Sequence, residues 1–144
     1  MLDTTHCSIN KAMQVVGTRS AILILREAFY GTTRFDEFAE RVGITDPVVA
    51  TRLKELVEVG VLTKQPYREP GQRTRFEYHL TPMGRDLLPA VLALMQWGDR
   101  YLQDDGGPLA VVDESGTPVR VAVVGATGEG LDLEELRVRA SARP

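Results

Sequence analysis

The chain has little cysteine: one residue, Cys7, in 144. That excludes an intramolecular disulfide and a metal site built from several thiolates. The start, MLDTTHCSINK, lacks a basic region followed by a long apolar run, so no signal peptide is expected. No uncharged apolar stretch reaches the roughly 18 residues of a membrane span, so no membrane partner is expected. A strong excess of charge is missing too. The formal net charge is -3, which taken alone argues weakly against nucleic acid. Gly125, Gly128 and Gly130 lack the following lysine of a phosphate loop. No acid, base and nucleophile fall at linked positions. The pairs Glu134-Glu135 and Asp104-Asp105 read as solvated surface. Neither catalysis nor a cofactor or metal is expected.

What is present suits a soluble domain with a small appendage: 43% hydrophobic and 26% charged residues. The charge is divided. Residues 1–102 carry 13 Lys+Arg against 12 Asp+Glu, net +1, and residues 103–144 carry 4 Arg against 8 Asp+Glu, net -4. Between Lys64 and Arg75 lie four basic residues, Arg68 and Arg73 among them, with Glu69 the one acid. A polyanion meets a local surface rather than the total charge.

Periodicity predicts the elements. Residues 9–16 form a short helix with Ile9, Met13 and Val16 on one side. Residues 19–30 repeat apolar side chains at three and four, which predicts a central helix stopping at Gly31. A short helix follows Thr33, with Asp36 and Glu37 in its first turn and Phe35, Phe38 and Val42 inward. Asp46-Pro47 reads as N-cap and first helical residue of a helix to Val59, with Val49, Leu53, Leu56 and Val57 as its buried stripe. The two helices after Thr33 form a helix-turn-helix. Residues 61–67 and 74–80 read as strands of a hairpin with a basic tip at residues 68–73. Thr81-Pro82 starts a long helix to about Leu102. Pro89 conflicts with an unbroken helix and marks either a kink or the start of its straight part.

Beyond the linker Asp104–Pro108 the character changes. Leu109–Val112 and Val119–Val124 are strand candidates, with Glu114–Thr117 as their turn. Leu131–Val138 fits a short helix or one more strand. The expected fold class is mainly α with small β: a winged helix-turn-helix over residues 1–102, plus a small C-terminal β appendage over 103–144. The appendage is too small to fold alone and should pack on the main domain or a partner subunit.

The order helix, short helix, turn, helix, basic hairpin, long helix belongs to a winged helix-turn-helix. The chain also resembles the HxlR-type winged-helix transcriptional regulators of bacteria over roughly residues 6–102. The resemblance rests on His6-Cys7-Ser8, ILILREAFYGTTRFDEF at 22–38, VVATRLKELVEVGVLTK at 48–64 and EYHLTPMGRDLLPAVLALMQWGDRYL at 77–102. Within these lie L-R-x-x-x-x-G-x-x-R-F, R-L-x-x-L-x-x-x-G-V-L, Y-x-L-T-x-x-G and Gln96-Trp97. It implies a homodimeric DNA-binding repressor or activator acting in the cytoplasm, at the bacterial chromosome, and in several members a response to electrophiles, oxidants or small effectors. The tail looks like the C-terminal ribbon of longer relatives. The family usually carries tryptophan where this chain has Ser20. The lost indole volume marks a candidate effector pocket there.

On this reading the helix from Pro47 enters the major groove of a palindromic operator. Asp46, Pro47, Val48, Ala50, Thr51, Arg52 and Lys54 form its outward set, with Arg52 the candidate for guanine. Arg73 and Arg75 lie on the wing near phosphates, with Arg68 and Gln72 alongside, and Arg34 is a candidate phosphate clamp. Cys7, beside His6, is a candidate redox sensor. Leu87, Val91, Leu94, Met95, Trp97 and Tyr101 exceed what one helix face of an isolated small domain needs. They are expected to meet Ile9 and Met13 of a second copy. The alternative is a winged-helix module that binds a protein or small ligand without a specific operator.

Overall fold

The structure, a computed structural model, describes residues 4–141. After a 3-10 turn at Thr4–His6 come α1 (Ser8–Val16), α2 (Arg19–Phe29), α3 (Phe35–Val42) and α4 (Asp46–Val59). Strands β1 (Leu62–Tyr67) and β2 (Arg75–Leu80) follow, then α5 (Pro82–Arg85) and α6 (Leu88–Leu102). The fold is mainly helical with a small antiparallel hairpin, a winged helix-turn-helix. Two compact units divide between Val91 and Leu92, inside α6.

The first unit is built around one core. Ile24 and Leu25 of α2, Phe38 of α3, Val49, Leu53 and Leu56 of α4, and Val61 and Leu62 at the hairpin entry are buried together. The three- and four-residue spacing on each helix turns these side chains to one face. The hairpin pairs Leu62 with Leu80 through Tyr67 with Arg75. It does not stand free. Arg34 bridges to Glu77, and the Tyr78 amide donates to the Thr33 carbonyl at 2.8 Å, so the segment before α3 lies along β2.

A polar network ties α2 to α3. Glu27 is 5% exposed, and its carboxylate accepts Arg26 Nη2 at 3.0 Å and Thr32 Oγ1 at 3.1 Å. Arg41 of α3 donates to Thr32 Oγ1 at 3.1 Å and stands 3.9 Å from Glu27. A second tie fixes the turn after β2. The Thr81 hydroxyl packs against the carbonyls of Gly60 and Val61 and accepts the Gly84 amide at 3.1 Å. A Cβ on Gly84 would lie 2.2 Å from the Val61 carbonyl oxygen. The T-x-x-G part of the sequence pattern is therefore a close backbone approach that a side chain would push apart.

Three sequence expectations need correction. Thr45, not Asp46, is the N-cap of α4, and Pro47 sits one residue further in. Asp46 instead places its charge among the exposed first-turn amides. The long helix after Pro82 is interrupted at Asp86-Leu87, and Pro89 lies in the first turn of α6, where its missing N–H breaks no bond. The valine-rich tail segments form no strands. They carry the isolated bridges Val112 to Pro118 and Val124 to Gly130, and Leu133–Glu135 is a 3-10 turn.

Those bridges expose a repeat that residue-by-residue reading missed. Residues 111–119 recur in form as residues 123–131. In each copy the residue after the second valine donates its amide four residues on: Asp113 to Thr117 at 2.8 Å, Gly125 to Glu129 at 2.7 Å. The φ angles of Gly116 and Gly128 are 85° and 86°. One carboxylate fills each turn. Asp113 accepts the Ser115 hydroxyl at 2.7 Å and the amides of Ser115 and Thr117, at 2.9 and 3.0 Å. Glu129 accepts the Thr127 hydroxyl in the second turn. The side chain of Gln96 on α6 holds the link between the copies, donating to the Val119 carbonyl at 3.0 Å and accepting the Val121 amide at 2.8 Å.

Each network yields an expected outcome. Glu27→Ala should lower unfolding stability in urea by about 2 kcal/mol. That is less than the ~3–5 for breaking a fully buried pair, because Arg26 and Arg41 reach water. Gly84→Ala should cost roughly 1–3 kcal/mol by overpacking, with the fold retained at low temperature. The hydroxyl and amide donors hold Asp113 and Glu129 below the usual carboxylate range, the hydroxyls being the largest cause. A depressed folded-state pKa means the turns are favoured above the ordinary carboxylate pKa and loosen as pH falls through the depressed value. Amide chemical shifts of Ser115, Thr117 and Glu129 should move together in that acid range.

Candidate nucleic-acid interface

The helix-turn-helix presents α4 by burying its other side. With Val49, Leu53 and Leu56 in the core, Pro47, Val48, Ala50, Thr51 and Lys54 stand exposed on its outer half. The Thr51 hydroxyl donates back to the Pro47 carbonyl at 2.9 Å, which leaves its oxygen as an acceptor facing out. Lys54 stands 3.9 Å from Glu58, an exposed pair one helical turn apart that is worth little in water.

Arg52 differs from the other outward candidates. Its side chain is 26% exposed, and its Nε donates to Ser20 Oγ at 2.9 Å while Nη1 donates to Glu55 Oε2 at 2.9 Å. The i,i+3 spacing made the Glu55 partner readable from the sequence. Ser20 lies 32 positions away, and nothing local announces it.

Arg34 is likewise engaged. Its guanidinium stands 3.0 Å from Glu69, 3.9 Å from Glu77 and 4.3 Å from the centre of the Tyr67 ring. The hydrogen bond it donates to Glu69 raises its pKa further above an already high value. Arg34 braces the wing near its tip from the end of the preceding segment. Arg68 also works within the wing, its Nε donating to the Gln72 carbonyl at 2.7 Å, and Lys64 lies 4.2 Å over the Phe76 ring.

Arg73 and Arg75 remain. Both are exposed, and neither has an ion pair or side-chain hydrogen bond among the described residues. They line an open cleft of about 490 Å³ with Phe35, Tyr67 and Phe76, between the wing and the start of α3. An unpaired guanidinium on a braced hairpin keeps its donors for an anion from outside.

Other candidates fall elsewhere. Cys7 is exposed at the N-cap position of α1, where its side chain makes no capping bond. Ser20 is half-buried. Ile9 and Met13 are exposed on α1, at 72% and 49%, and Leu94, Trp97 and Tyr101 are exposed on α6. Trp97 and Tyr101 stack at a tilt, ring centres 5.6 Å apart. Leu87 and Met95 are half-buried, and Val91 is buried within the chain itself. Among the described residues no group of three or more His, Cys, Asp or Glu side chains is placed to hold a metal ion. Among the described residues no helix is long and apolar enough to cross a membrane.

Comparison with known proteins places this arrangement. Residues 15–106 match the family model described as HxlR-like helix-turn-helix. An uncharacterized HTH-type transcriptional regulator of Mycobacterium tuberculosis is 48% identical over 101 residues, which cover 70% of this chain. The match spans 63% of that relative's own length. The solved structure of PA1607, named as a candidate transcription factor, covers 96% of this chain and 97% of its own, at 35% identity and a TM-score of 0.83. The redox regulator HypR, in its reduced form, covers 65% of this chain and 94% of its own, at 28% identity and a TM-score of 0.57. This is a family of DNA-binding helix-turn-helix transcription factors, and the similar HypR is named a redox regulator. The chain belongs to the HxlR-like helix-turn-helix family.

Proposed function

We propose that the protein is a homodimeric, sequence-specific transcriptional regulator, acting as a repressor by occupying a palindromic operator. One observation carries this reading. The exposed outer half of α4 is accompanied by a braced wing whose Arg73 and Arg75 have no partner among the described residues. On this reading Val48, Ala50 and Thr51 meet base edges and Lys54 reaches the backbone. Arg73 and Arg75, with Gln72, hold phosphates beside the groove. The acids Asp46, Glu55 and Glu58 on α4 leave that helix itself without net positive charge. Non-specific attraction therefore rests on the wing.

The exposed apolar side chains of α1 and of α6 support the dimer. Rows of this kind cost free energy in water and are relieved by a second copy. Cys7 supports control by thiol chemistry, since it is exposed and the similar HypR is named a redox regulator. A small effector beside Ser20 would act on the half-buried end of α2 that carries it. Residues 103–144 are proposed as an acidic extension that stays off the duplex.

Fluorescence anisotropy with DNA from upstream of the protein's own gene tests the reading. Affinity should fall ten-fold or more between about 50 and 200 mM salt, as release of a few counterions requires. Arg73→Ala with Arg75→Ala should weaken operator and scrambled DNA alike and flatten that salt dependence. Equal wild-type binding to operator and scrambled DNA would sink sequence-specific regulation. In sedimentation the protein should run as a dimer, and Trp97→Asp with Leu94→Asp should run as a monomer. Mild oxidant should change operator affinity in the wild type and leave Cys7→Ser unaffected.

A further inference from the structure

The guanidinium of Arg52 is gripped on two sides before any ligand arrives. Ser20 Oγ takes its Nε–H and Glu55 Oε2 takes an Nη1–H, both at 2.9 Å. Ser20 is not a loose surface hydroxyl. It is half-buried in the first turn of α2 and stands 3.3 Å from Thr18 Oγ1. Thr18 in turn caps α2 by accepting the Ala21 amide at 3.1 Å. Ala21, Ile24 and Leu25 then anchor α2 in the core. A chain of contacts thus runs from the core through a capped helix end to one side chain on α4.

The position of Arg52 on α4 explains why it needs this grip. Each residue turns an α-helix by about 100°. With Val49, Leu53 and Leu56 inward, Thr51 points away from the core and Arg52 falls on the flank. A long flexible side chain on a flank has many directions open to it. Two hydrogen bonds select one, and fixing it beforehand removes part of the ordering cost on binding. They use two of the five guanidinium N–H donors, and three remain. A bidentate hold on guanine needs two.

We propose that Ser20 and Glu55 are positioning residues that set how Arg52 reads its base, so the N-terminal turn of α2 belongs to the specificity apparatus. This rests on the DNA-binding reading above. The serine hydroxyl supplies the oxygen that accepts the Arg52 Nε–H.

Selection of bound sequences from random DNA tests the proposal with full-length wild type, Ser20→Val, Ser20→Thr, Glu55→Gln and Arg52→Ala. Wild type should enrich a two-fold motif in which Arg52→Ala abolishes the preference at one symmetric pair of positions. Ser20→Val should lose preference at that same pair and bind the wild-type motif about ten-fold more weakly, the scale of one charge-assisted hydrogen bond. Its affinity for scrambled DNA should not change. Ser20→Thr, which keeps the oxygen at nearly the same volume as valine, should restore the motif. Glu55→Gln should shift the same pair. An unchanged motif and affinity in Ser20→Val would overturn the proposal. So would a Ser20→Val penalty that persists undiminished in the Arg52→Ala background, which would assign Ser20 to helix packing. Failure of the wild type to enrich any motif would instead remove the DNA-binding reading, and this proposal with it. The free protein gives a DNA-independent check. The Arg52 Nε–H proton should exchange slowly in the wild type and fast in Ser20→Val. Equal exchange in the two would also overturn the proposal.

Discussion

Everything this protein presents to a partner depends on how α4 is seated. Val49, Leu53 and Leu56 bury against Ile24 and Leu25 of α2 and Phe38 of α3, with Leu62 closing the hairpin side. Once that stripe is inside, rotation of α4 is fixed. Rotation decides which of its residues face out, which lie on a flank, and which neighbour each flank meets. Apolar burial of this kind is non-directional in itself. The helical period converts it into direction.

Polar contacts then refine what burial sets up. The Glu27 network locks α2 and α3 together, and Thr81 with Gly84 locks the hairpin exit. Arg34 braces the wing through Glu69, Glu77 and Tyr67. Much of the positive charge in the first 102 residues is therefore internal to the scaffold. The two wing arginines without partners among the described residues are few, but they stand on a stiffened hairpin. A small number of well-placed guanidinium groups suits phosphate positioning better than a diffuse basic surface.

The tail follows a different logic. Its apolar residues are mostly exposed valines, and its order comes from two carboxylate-filled turns and the Gln96 amide. The turn bonds are local, while the two Gln96 bonds reach 23 and 25 residues along the chain. Valine content suggested strands while the backbone formed turns: without a partner strand to continue the ladder, β-propensity has nothing to act on. PA1607 covers nearly the whole chain at a TM-score of 0.83, so an extension of this shape is not peculiar to one sequence.

The sequence by itself determined the order of elements through the hairpin, the helix-turn-helix and the outward placement of Pro47, Val48, Ala50, Thr51 and Lys54. Each of these follows from a period of 3.6 or 2 and from punctuation by glycine and proline, which are local. Local signals also left small errors where two neighbours compete, as Thr45 and Asp46 do for the cap of α4. Tertiary structure decided the long-range partners of the arginines. Arg52 finds Ser20 across 32 residues and Arg34 finds Glu69 across 35, distances over which no spacing rule speaks. It also decided that Gly84 must have no side chain, because Val61 passes beside it. Side-chain partners between elements are set by how helices cross, and crossing is a property of the packed core.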